Sequence, residues 1–147
     1  MTDIPLPCSS GDSRPLRVLI ADDSALMRQA LRRVLTTDPA IEVVDAAYDG
    51  LDMLLKVERL QPDVVTLDVE MPRLDGLSAL GLLMERFPRP VVMLSSLTDA
   101  GTEATVRALA LGAVDFQLKP ASQTVGGLTA IADELIAKVK RAAQMRV

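Results

Sequence analysis

Five short apolar runs alternate along this chain with stretches whose apolar residues recur at helical spacing, and few folds accept that alternation. Leu16–Ala21, Ile41–Ala47, Val64–Leu67, Val91–Leu94 and Val114–Leu118 read as strands. Ser24 is a suitable N-cap for a helix through Leu35, which presents Leu26, Met27, Ala30, Leu31, Val34 and Leu35. A helix near Leu51–Leu60 offers Leu54, Leu55 and Val57 before Gln61-Pro62 stops it. Leu77–Arg86 and Glu103–Leu111 are the next helices, the second closed by Gly112 at its C′ position. The last runs from about Gly127 to Arg141, with Leu128, Ile131, Ala132, Leu135, Ile136 and Val139 on one face. The strand runs are unpatterned, as expected where parallel strands are buried on both faces. The expected fold class is therefore α/β: a doubly wound, five-stranded parallel sheet with right-handed crossovers and helices on both faces.

Outside this pattern, residues 1–15 carry Pro5, Pro7, Ser9, Ser10, Gly11, Ser13 and Pro15 and read as a flexible leader. Residues 16–141 form the expected domain, and 142–147 read as the start of a linker or tail, with Lys138-Val139-Lys140-Arg141 suiting the approach to it. A chain of 147 residues with 49% apolar content can bury one ordinary core. No apolar stretch approaches the roughly 20 residues of a membrane span, and the first residues lack a secretory signal. Cys8 stands alone, so a reducing, cytoplasmic setting is expected. A net charge of −4 counts against a nucleic-acid-binding surface. The absence of histidine removes Ser-His-Asp and Cys-His catalysis and histidine metal sites. Tyr48, Phe87 and Phe116 are too few for a base-stacking platform.

What remains is carboxylates, hydroxyls and a lysine, and they stand where strands end. Asp22 and Asp23 follow the first run, Asp68 the third, and Lys119 the fifth. In a parallel sheet all four reach the carboxyl edge, where ligands bind at the topological switch point. Such a pocket calls for a divalent cation and an anionic group, with phosphate the obvious candidate.

Each of these residues also has a plainer reading. Asp22 and Asp23 either complement a helix N-terminus or hold a hard cation such as Mg²⁺. Asp68 either caps a turn or, kept ionised by the cation, attacks a phosphoryl group to give an aspartyl phosphate. Glu70 is ambiguous, its backbone carbonyl a candidate ligand while its side chain borders the pocket. Lys119 is either a solvated loop residue or a point charge that holds Asp68 and then phosphate oxygens. Its bond to Pro120 is compatible with either isomer. Ser95 or Ser96 is either a loop hydroxyl or a donor to a phosphoryl oxygen, with strand register favouring Ser95. Phe116 is either core or a rotameric reporter of that hydroxyl's movement, and Asp75-Gly76 is a turn signal.

The ordered set Asp22-Asp23, Asp68, Ser95, Phe116, Lys119-Pro120 resembles the receiver domain of two-component response regulators, over about Arg17–Leu135. That resemblance implies a flavodoxin-like (βα)5 fold with strand order 2-1-3-4-5. Two further stretches, Asp68-Val69-Glu70-Met71-Pro72-Arg73-Leu74-Asp75-Gly76 and Ser95-Ser96-Leu97-Thr98, are similar to those of the chemotaxis protein-glutamate methylesterase family (CheB). So is Gly112-Ala113-Val114-Asp115-Phe116, ahead of Lys119-Pro120. In that family a receiver restrains a C-terminal esterase until it is phosphorylated. The resemblance implies that Asp68 is the phosphoacceptor, that Asp22, Asp23, Asp68 and the Glu70 carbonyl hold Mg²⁺, and that Lys119 binds phosphate. Ser95 and Phe116 match the switch pair. The implied partners are a chemotaxis-type histidine kinase and a methylesterase effector domain or other output partner.

The chain departs from that family in lacking its Gly-x-Ser-Thr-Gly-Gly nucleophile turn; Thr124-Val125-Gly126-Gly127 is not that motif. With no histidine it is not itself the esterase, though a full-length CheB-like parent would be one. The expectation is a phosphorylation-controlled receiver, either a receiver half or free-standing. An aspartate-nucleophile phosphohydrolase is the alternative, since Glu70 could serve as the second acid two residues on. A flavin carrier is disfavoured because the first loop has no hydroxyl- and glycine-rich phosphate cradle.

Overall fold

The structure, a computed structural model, describes residues 14–95, 99–120 and 125–145. Most of the expected leader, with Cys8, therefore lies outside the described residues, as do Ser96 and the extreme C-terminus. The elements are β1 (Leu16–Ala21), α1 (Ala25–Leu35), β2 (Ile41–Ala47), α2 (Gly50–Leu60), β3 (Val64–Asp68) and α3 (Gly76–Arg86). They continue with β4 (Val91–Ser95), α4 (Asp99–Leu111), β5 (Asp115–Leu118), α5 (Val125–Ala130) and α6 (Ala132–Ala142). All strand pairs are parallel and the sheet order is β2-β1-β3-β4-β5. The chain reverses its direction of travel across the sheet between β1 and β3, which makes the gap beyond their carboxyl ends the topological switch point.

Alternate residues of each strand feed two separate cores, as the period of two requires. Val18, Ile20, Val64, Val92 and Leu94 face α1, α5 and α6, where they meet Met27, Leu31, Leu128, Leu135 and Val139. Leu19, Val65, Leu67, Val91 and Met93 face α2, α3 and α4, where they meet Met53, Val57, Leu80, Leu83 and Ala108. Both faces of the sheet are thus covered, which is why its strands read as unbroken apolar runs.

Local signals account for most boundaries. Ser24 caps α1 by accepting from the Met27 N–H at 3.2 Å. Gln61 ends α2 in the left-handed region at φ 52°, and Gly112 follows α4 at φ 115°.

The differences from expectation have physical reasons. The final helix is two helices, α5 and α6, divided at Ile131, whose N–H donates to Leu128 three residues back. Gly126 and Gly127 weaken the first of these, while Asp133 and Glu134 favour a fresh start in the first turn of α6. α4 begins at Asp99, a turn earlier than its apolar spacing suggests, because Gly101 interrupts the pattern. Leu26 and Leu55 are 57% and 66% exposed instead of packed. Each adjoins a buried neighbour, Met27 and Leu54, and consecutive helical residues point about 100° apart. The basic run Lys138–Arg141 is helical, and Val139 within it is buried.

Candidate functional site

Asp22 follows β1 directly and is anchored on all sides. Its N–H donates to Ala47 at 3.0 Å, and its Oδ1 accepts from the Ser24 N–H at 3.0 Å. Its carbonyl accepts from Arg28 Nη1 at 2.8 Å. Asp23, one residue on, is exposed. Asp68 is the last residue of β3 and is almost wholly buried. One carboxylate oxygen from each of Asp22, Asp23 and Asp68 lies within 4.8 Å of the others.

Lys119 enters this group from the end of β5. Its Nζ is 3.0 Å from Asp22 Oδ2 and 3.1 Å from Asp68 Oδ1. The lysine is 8% exposed, so the ammonium is no solvated loop charge. Its N–H donates to the Ser95 carbonyl at 2.7 Å, which fixes the chain as it leaves the sheet. Every peptide bond among the described residues is trans, Lys119–Pro120 included, so the ammonium reaches the acids without the cis isomer.

The electrostatics follow from this crowding. Burial, and then the neighbouring Asp22 carboxylate, push the pKa of Asp68 up to about 7, while Lys119 and the Glu70 N–H pull the other way. Burial lowers the pKa of Lys119, but the charges and hydrogen bonds of Asp22 and Asp68 outweigh it and the net direction is upward. Three carboxylates against one ammonium leave the pocket short of positive charge. The all-oxygen donor set, two of its members nearly dry, fits a hard divalent cation such as Mg²⁺.

The remaining expected residues lie around this centre. Glu70 is exposed, and its N–H lies 3.5 Å from Asp68 Oδ1. With Asp23, Glu70 lines an open cleft of about 530 Å³ that also touches Met71, Pro72, Asp75 and Arg107. Ser95 closes β4 and is buried, one position past Leu94, the register partner of Asp68. Phe116 pairs with Met93 and packs, half-buried, in the core under α3 and α4. By strand alternation Ser95 and Phe116 belong to one face of neighbouring strands, two positions apart.

Two features were not legible from spacing. Gly76 is required by close approach: a Cβ there would lie 2.0 Å from the Asp68 carbonyl oxygen. Arg73, in the loop after Asp68, forms a salt bridge with the buried Asp49. Asp49-Gly50 carries a recognisable N-cap signal, but nothing in the sequence ties it to Arg73.

Residues 18–131 match the response regulator receiver domain family. The chain is 59% identical, over 88% of its length, to a protein-glutamate methylesterase/protein-glutamine glutaminase of Symbiobacterium thermophilum, and spans 36% of that protein. It is similar to the crystal structure of the response regulator domain of Thermotoga maritima CheB, with a TM-score of 0.85 and 42% identity. That likeness covers 91% of this chain and 100% of the other. A chain of the CheX–CheY–BeF3–Mg²⁺ complex from Borrelia burgdorferi is also similar, with a TM-score of 0.72 and 28% identity over 87% of this chain and 89% of that one. Among the described residues no helix is long and apolar enough to cross a membrane. The strand order with its switch point between β1 and β3, and a family match over most of the length, lead to one conclusion: this chain belongs to the response regulator receiver domain family.

Proposed function

We propose that Asp68 accepts a phosphoryl group from the phosphohistidine of a chemotaxis-type histidine kinase, and that its phosphorylation controls a methylesterase effector. The observation that carries this reading is the placement of Asp68 beside the Lys119 ammonium, which also contacts Asp22, with the Asp22 and Asp23 carboxylates close by at the switch point. In the transfer an Asp68 carboxylate oxygen attacks phosphorus, the phosphorus–nitrogen bond of the donor breaks, and the imidazole leaves. The chain has no histidine, so the donor histidine is the kinase's.

Asp22, Asp23, Asp68 and the Glu70 carbonyl would hold Mg²⁺, whose chemistry is to neutralise charge on the phosphoryl oxygens. The Borrelia burgdorferi neighbour, in a complex with BeF3 and Mg²⁺, supports this assignment. Lys119 offers its ammonium to a phosphoryl oxygen in place of Asp68. Ser95 donates its hydroxyl to another, and Phe116, on the same face two positions away, follows that movement toward α4 and β5. The methylesterase relatives support an esterase as the output, and they extend well beyond the span of this chain. A kinase that uses cytoplasmic ATP sets the compartment as the cytoplasm.

The test is uptake of label from a small phosphodonor in the presence of Mg²⁺. Wild type takes up close to one equivalent and Asp68→Asn takes up none; equal labelling of the two overturns the assignment.

A further inference from the structure

The loop between β3 and α3, residues 69–75, carries the carbonyl assigned above to Mg²⁺. Its outer bend depends on a residue in an unfavourable conformation. Arg73 has a φ of 65°, in the left-handed region that residues other than glycine, asparagine and aspartate avoid.

The Arg73 side chain reaches across to Asp49, the N-cap of α2. Its Nε donates to Asp49 Oδ2 at 2.8 Å, and Nη2 donates to the same oxygen. The guanidinium also lies over the Tyr48 ring, 5.6 Å from its centre. The Asp49 carboxylate is nearly fully buried, and its other oxygen caps α2 by accepting from the Asp52 N–H at 2.7 Å. Burial opposes ionisation of Asp49, but the hydrogen bonds from Asp52 and Arg73 outweigh it and hold the pKa below the usual value. The backbones are close as well. A Cβ on Gly50 would lie 2.6 Å from the Leu74 carbonyl oxygen, so the first residue of α2 must be glycine for the loop to seat.

Neither β2 nor α2 supplies a group to the acidic pocket, yet together they grip the far side of the loop that does. Within the loop, the Gly76 N–H donates to the Val69 carbonyl at 2.8 Å and the Leu74 N–H to the Pro72 carbonyl at 2.7 Å. These bonds tie the loop at Val69 and at Pro72–Leu74, on either side of Glu70.

We propose that the Asp49–Arg73 ion pair is a positioning clamp for the metal site, holding residue 73 at positive φ and so setting the placement of the Glu70 carbonyl. This rests on the reading of the pocket as a Mg²⁺ site. Arg73 and Asp49 touch neither metal nor phosphoryl group; they act through the loop.

Glycine separates a backbone role from a general loss of stability. Arg73→Ala removes the clamp and leaves a residue that resists positive φ. Arg73→Gly also removes the clamp but adopts that φ without strain. Asp49→Asn keeps an oxygen to cap α2 and loses the charged pairing.

The test is calorimetric titration of the full chain with MgCl₂. Arg73→Ala and Asp49→Asn bind about tenfold more weakly than wild type, and Arg73→Gly recovers to within about threefold, in the range for residues that support metal ligands. Wild-type affinity in Arg73→Ala, or an Arg73→Gly variant as weak as Arg73→Ala, overturns the clamp while leaving the metal site intact. A wild-type chain that binds no Mg²⁺ overturns the metal reading, and the clamp with it.

Discussion

Lys119 Nζ lies 3.1 Å from Asp68 Oδ1, with both groups almost wholly removed from solvent. A buried charge left without its partner is expensive, of order 3–5 kcal/mol. Asp68 has an escape, however, because it can take up a proton. Lys119→Met is therefore expected to lose about 3 kcal/mol at pH 8, where the variant must either bury an unpaired Asp68 charge or protonate it, and distinctly less at pH 5, where Asp68 holds a proton with or without the lysine. Urea denaturation at the two pH values checks this, and equal losses would mean that Lys119 does not balance Asp68.

The pH dependence of the metal-free protein has a definite sign. The folded pKa of Asp68, about 7, stands above its ordinary 3.8. Below about pH 4 both states are protonated and the contribution to stability is complete. Between there and about pH 7 the unfolded chain has released the proton and the folded chain has not, so stability falls as pH rises. With no histidine in the chain, few other groups titrate across that window. The melting temperature in chelator is expected to fall from pH 5 to pH 8, and Asp68→Asn to flatten that slope. A wild-type protein whose melting temperature holds or rises across the range would show that Asp68 is already ionised.

Much of this site is legible in the sequence. Strands buried on both faces announce themselves as unbroken apolar runs, and Asp22, Asp68 and Lys119 stand at their very ends. Parallel geometry then brings them together at one edge. What stayed hidden has no one-dimensional signature. Arg73 adopts positive φ where the sequence offers neither glycine nor asparagine, and its partner Asp49 is 24 residues away on another element. Adjacent apolar pairs such as Leu54-Leu55 do not reveal which member faces out, because a helix cannot bury both equally. The division at Ile131 arises from a single tightened turn inside an otherwise continuous helical pattern.

Asp22 and Asp23 are neighbours in sequence with different surroundings, and their substitutions should separate. Both Asp22 oxygens are engaged, by the Ser24 N–H and by Lys119, whereas Asp23 is exposed. Asp23→Asn is expected to weaken Mg²⁺ binding about tenfold while changing stability without metal by less than about 0.5 kcal/mol. Asp22→Asn should weaken binding and also cost about 1–3 kcal/mol, because it removes one partner of a buried charged hydrogen bond. Melting with and without Mg²⁺ resolves the two effects. Equal metal-free stabilities for both variants would count against a structural role for Asp22.

Two glycines of α3 should respond to alanine with opposite sign. At Gly81 the nearest atom to an added Cβ is Leu111 Cδ2 at 4.0 Å, an ordinary contact. Gly81→Ala is expected to stabilise by about 0.5–1 kcal/mol through helix propensity alone. At Gly76 the same methyl would lie 2.0 Å from the Asp68 carbonyl oxygen and 2.8 Å from Val69 Cα. Those are backbone atoms and cannot swing aside, so Gly76→Ala should cost about 3 kcal/mol or more. The relief available is displacement of the strand end that carries Asp68, so phosphoryl uptake should fall in the protein that remains folded. Urea denaturation of both variants, with labelling at matched folded fraction, tests the pair; a Gly76→Ala variant with full stability and uptake would show that the contact at the end of β3 is loose.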